Sequence, residues 1–340
     1  MQTIFNIIQS EVKGGGMENI FFDYSQIIKQ RKDVRLICVV PKNFCHLAEL
    51  QNAGIETKFL CIKGHFDIFA GLKLLFLIKK LKPDLVIGHN GRSFAAISFC
   101  KKFTKFKSLA VSHGGSVKRI LGFDAIIAVA GHIEKRILKA GFKGQVKTIH
   151  NGHKILPFTK NPQSKNFTFG VLSRLSKEKN IAAAIENFKK FASEVEKNSS
   201  LIIAGGGNEE ENLKNLVVSL GLEKQVSFIG WISDKKDFFN SIDVFLQPAL
   251  AEPFGITILE GFNFQTPVIA CNSFGPKEII TNNYSGYLFE EKDENSLFEM
   301  MKKAYLQQDD FAKITENASK ELQEKFSFEA MAKNLNEFIF

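Results

Sequence analysis

Short β-prone runs alternate with longer helical stretches along the whole chain. The predicted strands are 3–8, 35–40, 57–61, 84–88, 108–112, 124–129 and 146–150 in the first half, and 167–172, 200–204, 226–229, 243–247, 267–270 and 286–289 in the second. Helical patterns lie between them, for example over 179–196 and 208–220. Strands that alternate with helices predict βαβ units, and therefore parallel sheets covered by helices.

One polar segment with two prolines, PFTKNPQSKN over 157–166, interrupts this alternation. The chain has 340 residues, which exceeds the usual size of a single domain. We therefore predict an α/β protein of two doubly wound domains, 1–160 and 161–325, joined by this linker. A further helix is predicted over 326–340, and the sequence leaves open on which domain it packs.

The charge is unevenly distributed between the two halves. Residues 1–160 carry 26 Lys and Arg against 10 Asp and Glu, a net formal charge of +16, whereas residues 161–340 carry 19 against 26, a net of −7. Such asymmetry favours a polyanionic partner for the first half, which would be a membrane surface, a phospholipid-like substrate or a nucleic acid. No recognisable nucleic-acid-binding motif occurs in the sequence, so we expect no nucleic-acid partner.

The predicted location is cytoplasmic. The opening residues MQTIFNIIQS lack the pattern of a signal peptide, no apolar run is long enough to span a bilayer, and the five cysteines are scattered. Segments 65–84 and 100–107 mix lysines with large apolar residues. This pattern favours a peripheral contact with an anionic membrane. The competing interpretation is a core helix whose lysines simply face water.

Glycine-containing or charged turns follow several predicted strands. Parallel sheets bind ligands at the carboxyl ends of their strands, so these turns predict a ligand site between the two domains. One turn contains Gly15 and Gly16, which would let a phosphate approach the backbone. Another contains His113, which could meet a substrate hydroxyl or serve only a structural role.

Arg174 and Lys179 flank a turn that opens a helix in the second half. A guanidinium, an ammonium and the N–H groups of a helix start together favour binding of a nucleotide diphosphate. The residues alone do not separate this interpretation from an ordinary solvated basic loop.

Two glutamates, Glu252 and Glu260, stand on either side of the start of another predicted helix. Phe254, Gly255 and Ile256 would supply N–H groups at that start, and both carboxylates would face one cleft. Carboxylates accept hydrogen bonds from sugar hydroxyls, so the pair is a candidate site for a sugar and a ribose. The alternative is two solvated glutamates.

The stretches GVLSRLSKEKN, FIGWI, QPALAEPFGITILEGFNFQTPVIAC and GPKEII occur in this order and resemble the donor domain of family four retaining glycosyltransferases of the GT-B fold. KGGGMEN, SHGG and IHNG resemble the corresponding motifs of the first domain and the junction. The family includes lipopolysaccharide-type transferases of bacterial envelopes. The resemblance spans roughly positions 10 to 290 and implies two Rossmann-like domains that face a central cleft.

The resemblance implies a role for each candidate residue. Arg174 and Lys179 would hold the donor diphosphate, Glu260 the ribose and Glu252 the donor sugar, while the backbone around Trp231 would meet the base. By the same resemblance, His113 would approach the sugar near its reacting face.

The implied activity is retaining transfer of a hexosyl group from a nucleotide-diphosphate sugar, with UDP favoured, to a glycan or lipid-linked acceptor such as lipopolysaccharide core. No Asp-x-Asp occurs, so no metal or other cofactor is expected. The alternatives are a nucleotide-sugar epimerase of the same fold and a non-enzymatic protein that binds an anionic polymer.

Three departures from the family pattern leave the donor sugar open. Met17-Glu18 follows the first glycines, His153-Lys154 replaces the usual acidic residue after Asn-Gly, and Phe274 precedes Gly-Pro-Lys.

Overall fold

The computed structural model describes residues 1–10, 14–161 and 166–340, which form two compact units. Unit 1 comprises residues 1–152 and 328–340, and unit 2 comprises residues 153–327. Each unit is built on its own parallel sheet with helices, as the alternation of strands and helices predicts.

Unit 1 contains a seven-stranded sheet. Its strands are β1 Gln2–Ile7, β2 Val34–Val40, β3 Glu56–Phe59, β4 Leu85–Gly88, β5 Lys107–Ser112, β6 Ala125–Ala128 and β7 Gln145–Thr148. Its helices are α1 Gly16–Lys29, α2 Leu47–Asn52, α3 Ile68–Leu81, α4 Gly91–Lys101 and α5 Gly131–Lys139, with a 3₁₀ turn at Val117–Arg119. The strand order is β3-β2-β1-β4-β5-β6-β7, so the order in which successive strands are added reverses between β1 and β4.

Unit 2 contains a six-stranded sheet of order β10-β9-β8-β11-β12-β13. The strands are β8 Thr168–Leu172, β9 Ser200–Ala204, β10 Val226–Gly230, β11 Val244–Gln247, β12 Val268–Cys271 and β13 Tyr287–Phe289. The helices are α6 Ile181–Glu194, α7 Glu210–Ser219, α8 Lys235–Asn240, α9 Ile256–Asn263, α10 Pro276–Ile279, α11 Ser296–Leu306 and α12 Phe311–Lys325, with 3₁₀ turns at Lys177–Lys179 and Gln308–Asp310. The strand order reverses between β8 and β11.

The central strands are apolar because helices cover both faces of each sheet. All four residues of β4, β11 and β12 are buried. In unit 2 the ring of Phe169 packs edge-to-face against Phe191 with their centroids 4.9 Å apart, and it also meets Phe188 of the same helix. Such aromatic pairs fix α6 on the sheet and thereby hold the loop between β8 and α6 in place.

The junction between the units differs from the sequence boundary at 160/161. Unit 2 begins at His153 because the following segment is bound to it. Lys160 Nζ donates hydrogen bonds of 2.7 Å to Phe239 O, Ile242 O and Thr266 Oγ1. Burial lowers the pKa of Lys160 to about 8, against the opposing effect of Asp243. The predicted linker thus includes residues that are anchored in unit 2, while 162–165 lie outside the described residues.

The last helix, α13 Phe328–Ile339, belongs to unit 1. It packs on α1, and Arg31 lies over the Phe340 ring at 4.0 Å from its centroid. No helix in the part of the chain that the structure describes is long and apolar enough to cross a membrane.

Candidate functional site

The candidate site of unit 2 lies at the carboxyl ends of β8 and β11, where the strand order reverses. In open parallel sheets the loops on the two sides of such a point diverge and leave a crevice for a ligand. The loop after β8 carries Arg174 and Lys179, and the loop after β11 carries Glu252.

An ion pair joins these two loops. Lys179 Nζ lies 2.6 Å from Glu252 Oε2, and the two side chains are only 18% and 12% exposed. Gln247, at the buried end of β11, donates to Glu252 Oε2 at 3.4 Å and to Thr257 Oγ1 at 3.2 Å. A lysine and a carboxylate therefore stand together at the reversal point, in fixed positions and within reach of solvent.

Backbone contacts hold the same loops. Asn180, in a left-handed conformation with φ +52°, donates through Nδ2 to Pro248 O at 3.2 Å. Gly275 N, from the loop after β12, donates to Glu252 O at 3.1 Å. A Cβ on Gly275 would come within 2.3 Å of the Phe254 backbone, so only glycine permits this approach.

Arg174 differs from Lys179 in its exposure. Its side chain is 61% exposed, and its guanidinium Nη2 lies 3.4 Å from Glu178 Oε1. The sequence suggested one exposed basic turn, whereas the structure combines an exposed arginine with a half-buried, paired lysine. Lys179 ends a 3₁₀ turn, and its side chain is directed toward the β11 loop, which the local sequence does not reveal.

The loop after β9 supports the loop after β8. Leu175 N donates to Gly206 O at 3.0 Å, and Glu209 N donates to Leu175 O at 3.0 Å. A Cβ on Gly205 would meet Ser173 O at 1.8 Å, and one on Gly207 would meet Leu175 O at 2.2 Å. Glycine at both positions permits this close approach, which positions the Arg174 backbone.

Glu260 lies on α9 and is almost fully buried. Its Oε1 accepts a hydrogen bond from Lys235 Nζ of α8, while its Oε2 has no hydrogen-bond partner. Burial raises the pKa of Glu260, and the charge and hydrogen bond of Lys235 partly oppose that shift. A buried carboxylate oxygen without a partner is costly, and a ligand hydroxyl would satisfy it.

The start of α9 provides further donors. Gly255 precedes the helix with φ +110°, Ile256 is its first residue, and Phe254 is buried beneath the loop. The first N–H groups of a helix have no partner within the helix, so they remain available to an anion. Trp231, just beyond β10, is 60% exposed at the same edge of the sheet.

The structure thus brings the donor-domain candidates to one edge of one sheet. They follow β8, β10 and β11: Arg174, Lys179, Trp231, Glu252, Phe254, Gly255, Ile256 and Glu260. Their contacts with donor groups stay predictions. The remaining candidates, Gly15, Gly16 and His113, lie in unit 1.

In unit 1, His113 follows β5 and is half-buried beside a second histidine. His113 Nε2 lies 3.5 Å from Nδ1 of the fully buried His89, whose Nε2 lies 2.9 Å from Asn6 Oδ1. Burial lowers the pKa of His113 to about 4 and that of His89 well below 6.5, with the His113 charge adding to the latter. Both rings are therefore neutral near pH 7. At that pH His113 can donate or accept hydrogen bonds as an uncharged ring.

Gly15 and Gly16 begin α1 after β1, and Gly15 has extended backbone angles. The residues just before them in the motif EVKGGGMEN, 11–13, lie outside the described residues. Glu18 of the motif is buried, and its Oε1 accepts a hydrogen bond from Ser10 Oγ. Glu18 thus has a structural role, because its carboxylate ties the segment after β1 to α1.

The other two departures lie in unit 2. His153 is half-buried, its pKa is lowered to about 4 by burial and then by the charge of Lys235, and its buried Nε2 has no hydrogen-bond partner. Phe274 is half-exposed after β12 and has φ +23°, a conformation that non-glycine residues rarely adopt. His153 thus stands near Lys235, whereas Phe274 adjoins the loop that holds Glu252.

Sequence reasoning missed three residues of this arrangement. Lys235 is adjacent to Lys236, and nothing in the local sequence shows which lysine meets Glu260. Gln247 was hidden at the end of a buried strand. His89 directly follows the buried strand β4. Position at a strand end was the available signal for Gln247 and His89, whereas Lys235 begins α8 and carried no such signal.

Comparison with known proteins gives this geometry a context. Residues 153–321 match the family model described as "Glycosyl transferases group 1". An uncharacterized glycosyltransferase of Haemophilus influenzae is 26% identical over 320 residues, which cover 89% of each chain. The lipopolysaccharide core biosynthesis glycosyltransferase LpsE of Rhizobium meliloti is 23% identical over 270 residues, 78% of each chain.

Solved structures share the fold over the whole length. Anabaena Alr3699/HepE, solved in complex with UDP and glucose, has a TM-score of 0.86 at 19% identity and covers 100% of this chain and 99% of its own. The lipopolysaccharide outer core galactosyltransferase WaaB, in its apo form, has a TM-score of 0.80 at 17% identity with the same coverage. The predicted GT-B architecture of two parallel-sheet α/β domains is confirmed.

Proposed function

We propose that this chain, whose residues 153–321 match the family model of the group 1 glycosyl transferases, is a retaining hexosyltransferase that uses a UDP-sugar. The observation that carries the proposal is the Lys179–Glu252 pair at the point where the unit 2 strand order reverses. The pair lies within the residues that match the family model, and UDP is bound in structurally similar HepE.

In the proposed donor complex, Lys179 and Arg174 neutralise the diphosphate, and the first N–H groups of α9 add further donors. Lys179 can contact a phosphate without leaving Glu252, since an ammonium group has three donors. Glu252 accepts hydrogen bonds from the sugar, and the unpartnered Oε2 of Glu260 accepts one from the ribose. Trp231 provides backbone contacts to the base.

The reaction forms a bond from the acceptor oxygen to the anomeric carbon and breaks the bond from that carbon to the phosphate oxygen. The acceptor hydroxyl proton passes to the departing phosphate on the same face of the sugar, which retains the anomeric configuration. The chain's own residues stabilise the negative charge that develops on the diphosphate. Each aimed donor in a site that excludes water contributes roughly 3–4 kcal/mol to such stabilisation.

We further propose an envelope glycan or lipid-linked acceptor, because LpsE is named for lipopolysaccharide core biosynthesis and O-antigen glycosyltransferase WclY of Escherichia coli is another relative. Activity on the cytoplasmic side of the membrane, without a bound metal ion, completes the proposal. The basic residues Arg174 and Lys179 take the part that a divalent cation plays at other diphosphate sites.

A nucleotide screen tests this function. UDP should raise the melting temperature more than GDP or ADP, and a UDP-sugar should be consumed in the presence of acceptor extracts and EDTA. NMR of the product should show the anomeric configuration of the donor. The proposal fails if no nucleotide diphosphate raises the melting temperature and no nucleotide sugar is consumed. Conversion of the UDP-sugar without any acceptor would instead indicate an epimerase.

A further inference from the structure

Helix α3 of unit 1 has a second apolar face that the fold does not bury. Phe66, just before the helix, is 96% exposed, and Phe69 and Phe76 on it are 81% and 65% exposed. Ile68 and Leu72 are exposed beside them. We call these five residues the α3 apolar face. Residues 69, 72 and 76 recur at helical spacing, so they line one side of the helix.

The fold does not require this face, because the opposite side of α3 already packs on unit 1. Leu74, Leu75 and Ile78 are buried. Gly71 meets α4 so closely that a Cβ there would lie 2.8 Å from the Phe99 ring. The core-helix interpretation of the sequence therefore describes one side of α3, and the opposite side is apolar and exposed. A contiguous apolar patch of this kind marks an interaction surface.

Lysines surround the α3 apolar face. Lys63, Lys73, Lys79 and Lys80 are exposed on α3 and the loop before it. Asp67 is the only acidic residue between 57 and 83, and it is engaged as the helix cap, accepting from Ala70 N at 3.0 Å. Unit 1 carries 25 Lys and Arg against 12 Asp and Glu, a net of +13, whereas unit 2 carries 20 against 24, a net of −4.

The loop that presents Phe66 is held in place. His65 Nδ1 lies 3.2 Å from Gly91 O at the start of α4, and Arg119 Nη1 donates to His65 Nε2 at 2.7 Å. The loop at His65 is thereby held near the carboxyl edge of the unit 1 sheet, since α4 begins directly after β4 and Arg119 follows β5. An apolar side chain on an anchored loop loses little conformational freedom when it is buried in a partner.

We propose that the α3 apolar face docks on the surface of an anionic lipid bilayer. The five apolar side chains enter the boundary between headgroups and acyl chains, and the surrounding lysines contact anionic headgroups. The 14 residues of α3 are too few to span a bilayer, so the helix lies along the surface. The docking would bring a lipid-linked acceptor to unit 1, and that consequence rests on the proposed function.

A second lysine cluster, suggested by the segment 100–107, contributes less than the sequence implied. Lys101 Nζ donates to Ser108 Oγ at 2.8 Å, Gly122 O at 2.9 Å and Asp124 Oδ2 at 2.9 Å. This lysine ties α4 to the strands and is not available to a membrane. Its replacement by glutamate would disturb the fold, so the test below leaves it intact.

Vesicle sedimentation tests the docking, with vesicles of equal parts phosphatidylglycerol and phosphatidylcholine or of phosphatidylcholine alone. The full-length protein should bind the anionic vesicles more tightly, and high salt should weaken that binding. The triple variant Phe66→Ser/Phe69→Ser/Phe76→Ser should bind about 10²-fold more weakly, because its large apolar groups are lost. Lys73→Gln/Lys79→Gln/Lys80→Gln should lose a comparable factor of about 10².

The matched control is Val218→Ser/Leu306→Ser, which removes two exposed apolar side chains of unit 2 and should leave vesicle binding unchanged. The UDP-induced rise in melting temperature should be the same in every variant, because the donor site lies in unit 2. That readout separates failure of the docking from failure of the proposed function.

Three results would overturn the docking. The wild-type protein could ignore anionic vesicles, or the phenylalanine variant could bind them like wild type. The third result is a wild-type protein that is an oligomer and ignores vesicles, together with a phenylalanine variant that is a monomer. It would show that a second copy of the chain covers the α3 apolar face.

Discussion

Lys179 is the residue that links the two sides of the candidate donor site. Its ammonium lies 2.6 Å from Glu252 in a half-buried position, so the carboxylate is paired before any ligand arrives. Removing one member of such a pair leaves the other partly desolvated and unpaired, which costs stability as well as ligand contacts. Arg174, in contrast, is mostly in solvent, and its ion pair with Glu178 contributes little.

The two basic residues should therefore behave differently. Arg174→Ala and Lys179→Ala should each lower kcat/KM by about 10² or more, from loss of a charged phosphate contact. Arg174→Ala should change the free energy of unfolding by less than about 0.5 kcal/mol, while Lys179→Ala should lower it by roughly 1–3 kcal/mol. Steady-state kinetics and urea unfolding measure both quantities. Lys224→Ala, at an exposed position of unit 2, is the control. Wild-type turnover in the Arg174→Ala/Lys179→Ala variant would contradict the assignment of both residues to the diphosphate.

Glu260 and Glu252 should contribute to different parts of donor binding. Glu260→Gln should weaken binding of free UDP, because the buried carboxylate is the proposed ribose partner, while Glu252→Gln should spare UDP binding and lower kcat. Calorimetric titration with UDP, followed by turnover measurements, distinguishes the two effects. Equal loss of UDP affinity in both variants would refute the assignment.

The control for these carboxylates is Glu324→Gln on the exposed side of α12.

The candidate donor site depends on how closely the loops after β8 and β9 approach each other. The backbone around Ser173 and Leu175 lies against Gly205 and Gly207, with no room for a side chain between them. Hydrogen bonds between the same backbones fix their separation. The position of Arg174 is thus a consequence of glycines in another loop.

Gly205→Ala should be strongly destabilising. Its Cβ would lie 1.8 Å from Ser173 O, and its φ of +127° disfavours any L side chain, so we expect a loss of about 3 kcal/mol or more. Gly206→Ala is the matched control, since its Cβ would meet only the Glu210 side chain at 4.0 Å. Urea unfolding of both variants measures the difference. Equal stability of the two would show that the loops do not approach as described.

The positions of most strands and helices could be predicted from the sequence, whereas the hydrogen-bond and packing partners of individual side chains could not. Strands such as β8 and β11 are short apolar runs bounded by turns, so their positions follow from local sequence. The unit boundary was placed too late, because Lys160 is anchored by atoms from α8, the loop after it and the loop before β12, which are distant in sequence. Likewise, α3 mixes lysines with large apolar residues in sequence, and only the packing of Gly71 on α4 shows which side is left exposed.

The two units differ in their buried ionisable groups. Unit 1 contains His89 and His113, whose pKa values burial lowers below 6.5. Unit 2 contains His153 with a lowered pKa, but also Glu260 and Asp243, whose pKa values burial raises. A histidine with a lowered pKa stabilises the fold above pH 6.5 and loses that contribution as the pH falls, whereas a carboxyl with a raised pKa acts in the opposite direction.

Mild acid should consequently weaken unit 1 more than unit 2. Between pH 7 and pH 5 the unfolded chain takes up protons that the fully buried His89 and the half-buried His113 do not, which removes at most about 2 kcal/mol per histidine. Hydrogen exchange, converted to free energies of opening, should show a larger loss in β4 and β5 than in β8 and β11. His113→Gln should reduce that loss, while His65→Gln, at an exposed histidine of the same unit, should not. Unit 1 should gain its pH dependence from the histidine pair beside Asn6, whereas unit 2 contains carboxyl groups with the opposite effect. An equal loss of stability in both units would therefore mean that the burial of the two histidines does not govern the response to acid.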